Sequence, residues 1–175
     1  MSTEVLFDFD LDIDPATLDV EKILREHQSC FLFGHGDCPE ILFPEIVRAV
    51  ETLIVERGCK NYYIGHRGNF DRLATRAVIA LKEKYPFLSL QRVIAYYHPR
   101  KRVYCPTGVD DTFFPFGMES VPKSIAIRVA NEHMIDMVDW VICYVNHHYS
   151  NAHKALEYAR RRKDLTIINL GTYDG

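Results

Sequence analysis

The stretch that most restricts this chain is Asn61 to Leu81, NYYIGHRGNFDRLATRAVIAL. An apolar run, Tyr62 to Ile64, stops at Gly65-His66-Arg67-Gly68, and a helical pattern opens at once. Phe70, Leu73, Ala74, Ala77, Val78 and Leu81 recur at steps of three and four, which is one apolar stripe of an amphipathic helix. Asn69 stands where an N-cap belongs, and Asp71 in the first turn suits the positive helix end. A strand, a glycine turn and a helix start gather backbone N–H groups and Arg67 at one spot. That spot suits an anion such as phosphate, although a glycine turn can equally be only a tight turn.

The same alternation runs along the chain. Ser29 to Phe33 reads as a buried strand ending at Gly34-His35-Gly36-Asp37, and Pro39 opens a helix to about Glu56 that Arg57-Gly58 closes. Leu88 to Tyr97 reads as a third strand. Residues 104–123, with Pro106, Gly108, Pro115, Gly117 and Pro122, read as a loop rather than an element. Phe113, Phe114 and Phe116 within it imply either an ordered loop packed on the domain or a lid or subunit contact. A helix from about Lys123 to Asp136, a strand from Trp140 to Val145, a helix from Asn151 to Lys163 and a last strand from Leu165 to Leu170 follow.

Five short apolar strands separated mostly by helices predict an α/β fold, a Rossmann-like three-layer sandwich with a mainly parallel sheet. Ligands in such folds bind beyond the carboxyl ends of the strands. That edge would collect Gly34, His35 and Gly36, then Gly65, His66, Arg67 and Gly68, then Asn146 to Asn151 with Ser150.

Composition narrows the class. At 175 residues and 47% apolar, the chain suits one domain, read as 28–175, preceded by an acidic arm and short helix over 1–27. Residues 1–20 carry six acids and no Lys or Arg, leaving 18 acids against 21 bases, a balance that argues against a dedicated nucleic-acid binder. Asp8, Asp10, Asp12 and Asp19 fall at calcium-loop positions, but Ile13 stands where that loop needs glycine. No run approaches eighteen apolar residues and the N-terminus lacks a signal-peptide pattern, so the expectation is a cytoplasmic protein without membrane partners. Five scattered cysteines read as reduced thiols. The histidines at strand ends read as hydrogen-bonding groups, and no metal site is expected. The vicinal pair His147-His148 points two ways if extended, so only one of them can join His35 or His66. His153 and Glu157 share a helix face and either pair or leave Glu157 to accept a ribose hydroxyl. Arg160 to Lys163 reads as a solvated helix end.

The stretches GHRGNFDRLA, PFGMESVPKS…ANEHMIDMVDWVICYV and ALEYARRRKDLTIINL resemble the SLOG superfamily, which includes the LOG phosphoribohydrolases and the DprA-type DNA-processing proteins. The resemblance is nearest to small, mostly uncharacterised single-domain bacterial members and covers roughly residues 30–170. It implies a Rossmann-like fold that binds a nucleotide or nucleotide-derived ligand, ADP-ribose-like included, in sensing or regulation. On this resemblance Gly34, His35, Gly65, Arg67, Gly68 and Asp71 form the phosphate-side turns, and Asn131, Met134 and Asp139 match a pattern before the fourth strand. Glu157 matches the glutamate of GGAxxTLEYA, a candidate catalytic residue. The chain departs from that pattern at Ser150-Asn151, where the family has a glycine pair, and at Ala130, where the phosphoribohydrolases have arginine. Ligand binding is therefore favoured over turnover. The alternatives are N-glycoside hydrolysis of nucleoside 5'-monophosphates through Glu157, or a non-enzymatic interaction module that self-associates as a homo-oligomer through the aromatic loop.

Overall fold

A computed structural model describes residues 28–98 and 100–172. The acidic arm, its calcium reading and its short helix lie outside the described residues. Six strands form one sheet: β1 (Ser29–Gly34), β2 (Asn61–Ile64), β3 (Ser89–Val93), β4 (Asp111–Phe113), β5 (Trp140–Tyr144) and β6 (Thr166–Asn169). Among the described residues four α-helices accompany them: α1 (Phe43–Arg57), α2 (Asn69–Lys84), α3 (Lys123–Met137) and α4 (Asn151–Ala159).

All neighbouring strands pair in parallel, in the order β4-β3-β2-β1-β5-β6. Period-two alternation decides the layers. Cys30 and Leu32 of β1, with Tyr62, Ile64, Leu90, Ile142 and Tyr144, pack beneath α1 and α2. Phe31 and Phe33, with Val93, Val141, Cys143 and Val145, pack beneath α3 and α4. The chain builds outward from β1 in one direction, then returns to β5 on its other side and builds the opposite way, so helices cover both faces. The expected Rossmann-like sandwich is the observed fold.

Local chemistry accounts for the element ends. Gly58 closes α1 in the left-handed conformation, φ 67°, its N–H reaching the carbonyls of Ile54 and Leu53. Asn169 extends the β5–β6 pairing past its end by accepting the Val145 N–H at 3.0 Å and donating to the Val145 carbonyl at 3.1 Å. Burial pushes the Cys59 and Cys143 thiols up to about 12, so they act as apolar filler.

Several elements differ from the sequence expectation. β4 lies inside the segment 104–123 read as a loop, making six strands rather than five. The third strand stops at Val93, short of Tyr97; the Ile94 N–H, donating to the Phe113 carbonyl at 2.8 Å, makes the last bond of its pairing with β4. α4 ends at Ala159, before the basic run. Arg162 in that run is no solvated helix end: its guanidinium donates to the Ile135 and Val138 carbonyls at the close of α3. The aromatic loop is packed down in part. The Phe113 ring meets Tyr63 edge-on at 5.3 Å and Met118 is buried, while Phe116 stays 92% exposed.

Candidate functional site

The strand order reverses between β1 and β5, and the crevice there opens at their carboxyl ends. A cavity of about 180 Å³ occupies it. Its walls include Gly34 at the end of β1 and Gly36 beyond it, Gly65 to Gly68 after β2, Asp71 of α2, Ala130 and Asn131 of α3, and Asn151 and Ala152 opening α4. Two helix N-termini, those of α2 and α4, therefore meet one cavity.

The glycine turns are locked together before any ligand is considered. The Asn69 backbone N–H donates to the Gly36 carbonyl at 3.1 Å, and its side-chain amide donates to the Cys38 carbonyl. Asn69 is thus the first residue of α2 and a tie between two loops, not the N-cap, which is Gly68. A Cβ on Gly65 would lie 2.7 Å from the Asp71 carboxylate, because that group folds back to accept the Arg67 N–H at 3.0 Å. Part of the N–H cradle expected to face an anion is consequently occupied by Asp71. Burial pushes the Asp71 carboxyl up to about 6, against the pull of the Arg67 backbone N–H and the Arg92 guanidinium.

Arg67 swings its guanidinium over the Tyr96 ring, 4.3 Å from the centroid. His66 Nδ1 lies 3.2 Å from the Val93 carbonyl, so that nitrogen carries the proton and donates. Burial lowers the His66 pKa below its ordinary value, which keeps the ring neutral near pH 7. At the mouth of α4 the Ser150 hydroxyl accepts the His153 N–H at 2.9 Å, a serine cap in place of a glycine pair. Tyr149, just before it, takes a left-handed φ of 66°.

Of the residues read as a site, Gly34, Gly65, His66, Arg67, Gly68, Asp71, Asn131 and Asn151 line this cavity together. His35 does not. It is buried behind the β1 end, stacked on His147 at 3.7 Å with its Nε2 accepting the His147 N–H. His147 is the member of the vicinal pair that joins His35, whereas the His148 ring packs against Tyr149 and His153. Ser150 is committed to its cap. Glu157 stands outside the cavity lining, its carboxylate bonded to Arg160 at 2.9 Å. Ala130 lines the cavity, and Arg128 points elsewhere, paired with Glu132 at 3.7 Å. Donor atoms of His35, Asp37 and His147 lie within 4.8 Å of one another, but two of these three residues are exposed and the His35 Nε2 is already bonded.

Beyond His66 and Arg67 lies a second cavity, about 380 Å³, that the sequence reading missed. Arg92, Tyr96, His98, Lys101, Arg102 and Tyr104 line it. The available signal was position: this run also follows the carboxyl end of a parallel strand.

An all-parallel Rossmann-like sheet with a switch-point cavity defines the class. No family model and no curated protein matches the chain. Among solved structures, the chain is similar to DNA processing protein A (DprA) from Streptococcus pneumoniae, with a TM-score of 0.60 and 17% identity. The likeness covers 83% of this chain but only 51% of that one, about half its length. At that identity it establishes a DprA-like fold. No helix among the described residues is long and apolar enough to cross a membrane.

Proposed function

We propose that this chain binds a nucleotide or nucleotide-derived ligand at the carboxyl ends of β1, β2 and β5, as a sensing or regulatory module. One observation carries the reading: the N-termini of α2 and α4, Arg67, Asn131 and Asn151 converge on a single cavity at the point where the strand order reverses. Helix N-termini favour anions, arginine offers a planar fork to phosphate, and the two asparagine amides supply donors and acceptors for ribose hydroxyls. The Asp71 carboxyl, raised to about 6 by burial, gives a further acceptor for a hydroxyl, and its ionised form disfavours a phosphate directly beside it.

Binding without turnover is the version the geometry favours. N-glycoside hydrolysis needs a carboxylate against the sugar with water beside it. Glu157 lies outside the cavity in an ion pair with Arg160, and Ala130 offers no arginine to orient it.

Isothermal titration of the full chain with nucleoside 5'-monophosphates and ADP-ribose tests this. Saturable binding is expected, weakened about tenfold or more by Arg67→Ala, the loss of one charge-assisted contact. No heat across the panel would refute the site. Free base appearing during incubation with wild type, and not with Glu157→Ala, would replace the binding reading with the hydrolytic one.

A further inference from the structure

We infer that the second cavity is an anion subsite continuous in function with the first, so that the ligand class is a nucleotide carrying two or more linked phosphates rather than a monophosphate. This rests on the nucleotide-binding reading of the first cavity. Its grounds are charge, space and the arrangement of one strap of chain.

Charge comes first. Arg67, Arg92, Lys101 and Arg102 line the second cavity together with His66 and His98, and no Asp or Glu is among the lining residues. None of those four cations is paired with a carboxylate of the described residues, whereas Arg72, Lys82, Lys84, Arg128, Arg160 and Arg162 elsewhere are. Cations gathered around one hollow repel one another, modestly where solvent reaches them, and an entering anion relieves that; the carboxylate acting on Arg67 and Arg92 is Asp71, at the wall of the first cavity. Arg92 keeps a buried Nε with no hydrogen-bond partner, an unusual state for a guanidinium at a cavity wall.

Space points the same way. The first cavity, about 180 Å³, is below the roughly 300–1,000 Å³ of ordinary small-molecule sites. It has room for a sugar phosphate, and whatever follows must continue past His66 and Arg67, the two residues common to both cavities. Arg67 is held at that boundary by Tyr96, whose ring also lies 5.6 Å from Lys123 Nζ. A linked diphosphate would put one phosphate on each side of this guanidinium.

The strap is also fixed to the sheet. Arg92 of β3 donates through a guanidinium nitrogen to the Tyr104 carbonyl, so the run bearing Lys101 and Arg102 is fastened over the cavity. Lys101 and Arg102 are exposed, and their side chains hold nothing in the core. They can be removed without touching the first cavity.

The test is calorimetric titration of the full chain with a nucleoside monophosphate, the matching diphosphate and ADP-ribose. The wild type should bind the two diphosphate-containing ligands about tenfold or more tighter than the monophosphate, one extra charge-assisted contact being the minimum added. The Lys101→Ala/Arg102→Ala double variant should bring that ratio to about one, leave monophosphate affinity within about twofold, and keep the thermal midpoint of the free protein. Equal wild-type affinities would overturn the subsite while leaving the monophosphate site standing. So would a double variant that weakens all three ligands alike. A single-stranded oligonucleotide that bound tighter than any of them and lost that advantage in the double variant would reassign the strap to nucleic acid. Failure of every nucleotide to bind would remove both cavities from consideration.

Discussion

A Cβ placed on Gly68 would lie 2.6 Å from the Gly36 Cα, and one on Gly34 would lie 2.5 Å from the Phe70 ring. The glycines that read as phosphate-approach positions thus have an internal reason to be glycine: two loops and a helix start are pressed together there. Gly36, by contrast, could carry a Cβ in ordinary contact, its nearest neighbour at 3.8 Å. Gly68→Ala is expected to cost about 1–3 kcal/mol, as overpacking against backbone does, and Gly36→Ala well under about 1 kcal/mol. Urea unfolding midpoints compare them; equal costs would contradict the packed-loop account. Proton linkage is also set by single residues here. Burial, with His147 next for His35, lowers the pKa of His35 and His66 below the ordinary 6.5, so the unfolded chain takes up these protons first. Stability from these two groups is complete above pH 6.5 and is lost as pH falls toward their folded values. Asp71 works oppositely: with its folded pKa raised to about 6, its ionisation costs stability as pH rises from 3.8 through 6. Unfolding free energy should therefore decline from pH 7 to 6, a decline that His35→Gln reduces, while Asp71→Asn makes the loss below pH 6 steeper.

β4 joins the sheet on three residues, two of them exposed, and an ion pair at its start reinforces the pairing with β3. Lys82 of α2 donates to both Asp110 carboxylate oxygens and to the Gly108 carbonyl at 2.9 Å, and Asp110 in turn accepts the Leu90 N–H at 2.8 Å. Lys82→Met should cost about 1 kcal/mol, a figure held down by the partial exposure of Asp110, and should speed hydrogen exchange at Leu90 and Ile94 more than at Ile64. Uniform exchange across the three amides would show that β4 is not held this way. The same particulars explain what could be read from the chain. SCFLFG and WVICY are buried on both faces and contrast with their neighbours, so β1 and β5 are legible. Asp-Thr-Phe among prolines and glycines carries no such contrast; its pairing with β3, supported by the Lys82–Asp110 ion pair just before it, makes it a strand. Asn69 misleads for a similar reason, since cap and loop tie demand the same amide and only the nearness of Cys38 separates them.

The whole molecule owes its site to topology. Eight of the ten residues read as ligand-binding line one cavity because parallel strands deliver their carboxyl ends to one edge. His35 and Ser150 are not among its lining residues, because a stack with His147 and a cap for His153 are decided by contacts the sequence order does not display. The cationic strap went unread because a charged run after a strand resembles a solvated exit from the core until Arg92 is seen to fasten it. The DprA-like likeness supports the fold, and the proposed placement of a ligand rests on the cavity alone. Amide chemical-shift mapping of the uniformly labelled chain, titrated with a nucleoside monophosphate, tests that placement most directly. The largest shifts should fall at Gly36, Gly65, Arg67, Gly68, Asn131, Asn151 and Ala152, around the cavity between the β1 and β5 ends. Shifts confined to the Phe114–Phe116 loop or the Arg160–Lys163 run, or none at saturating nucleotide, would contradict it.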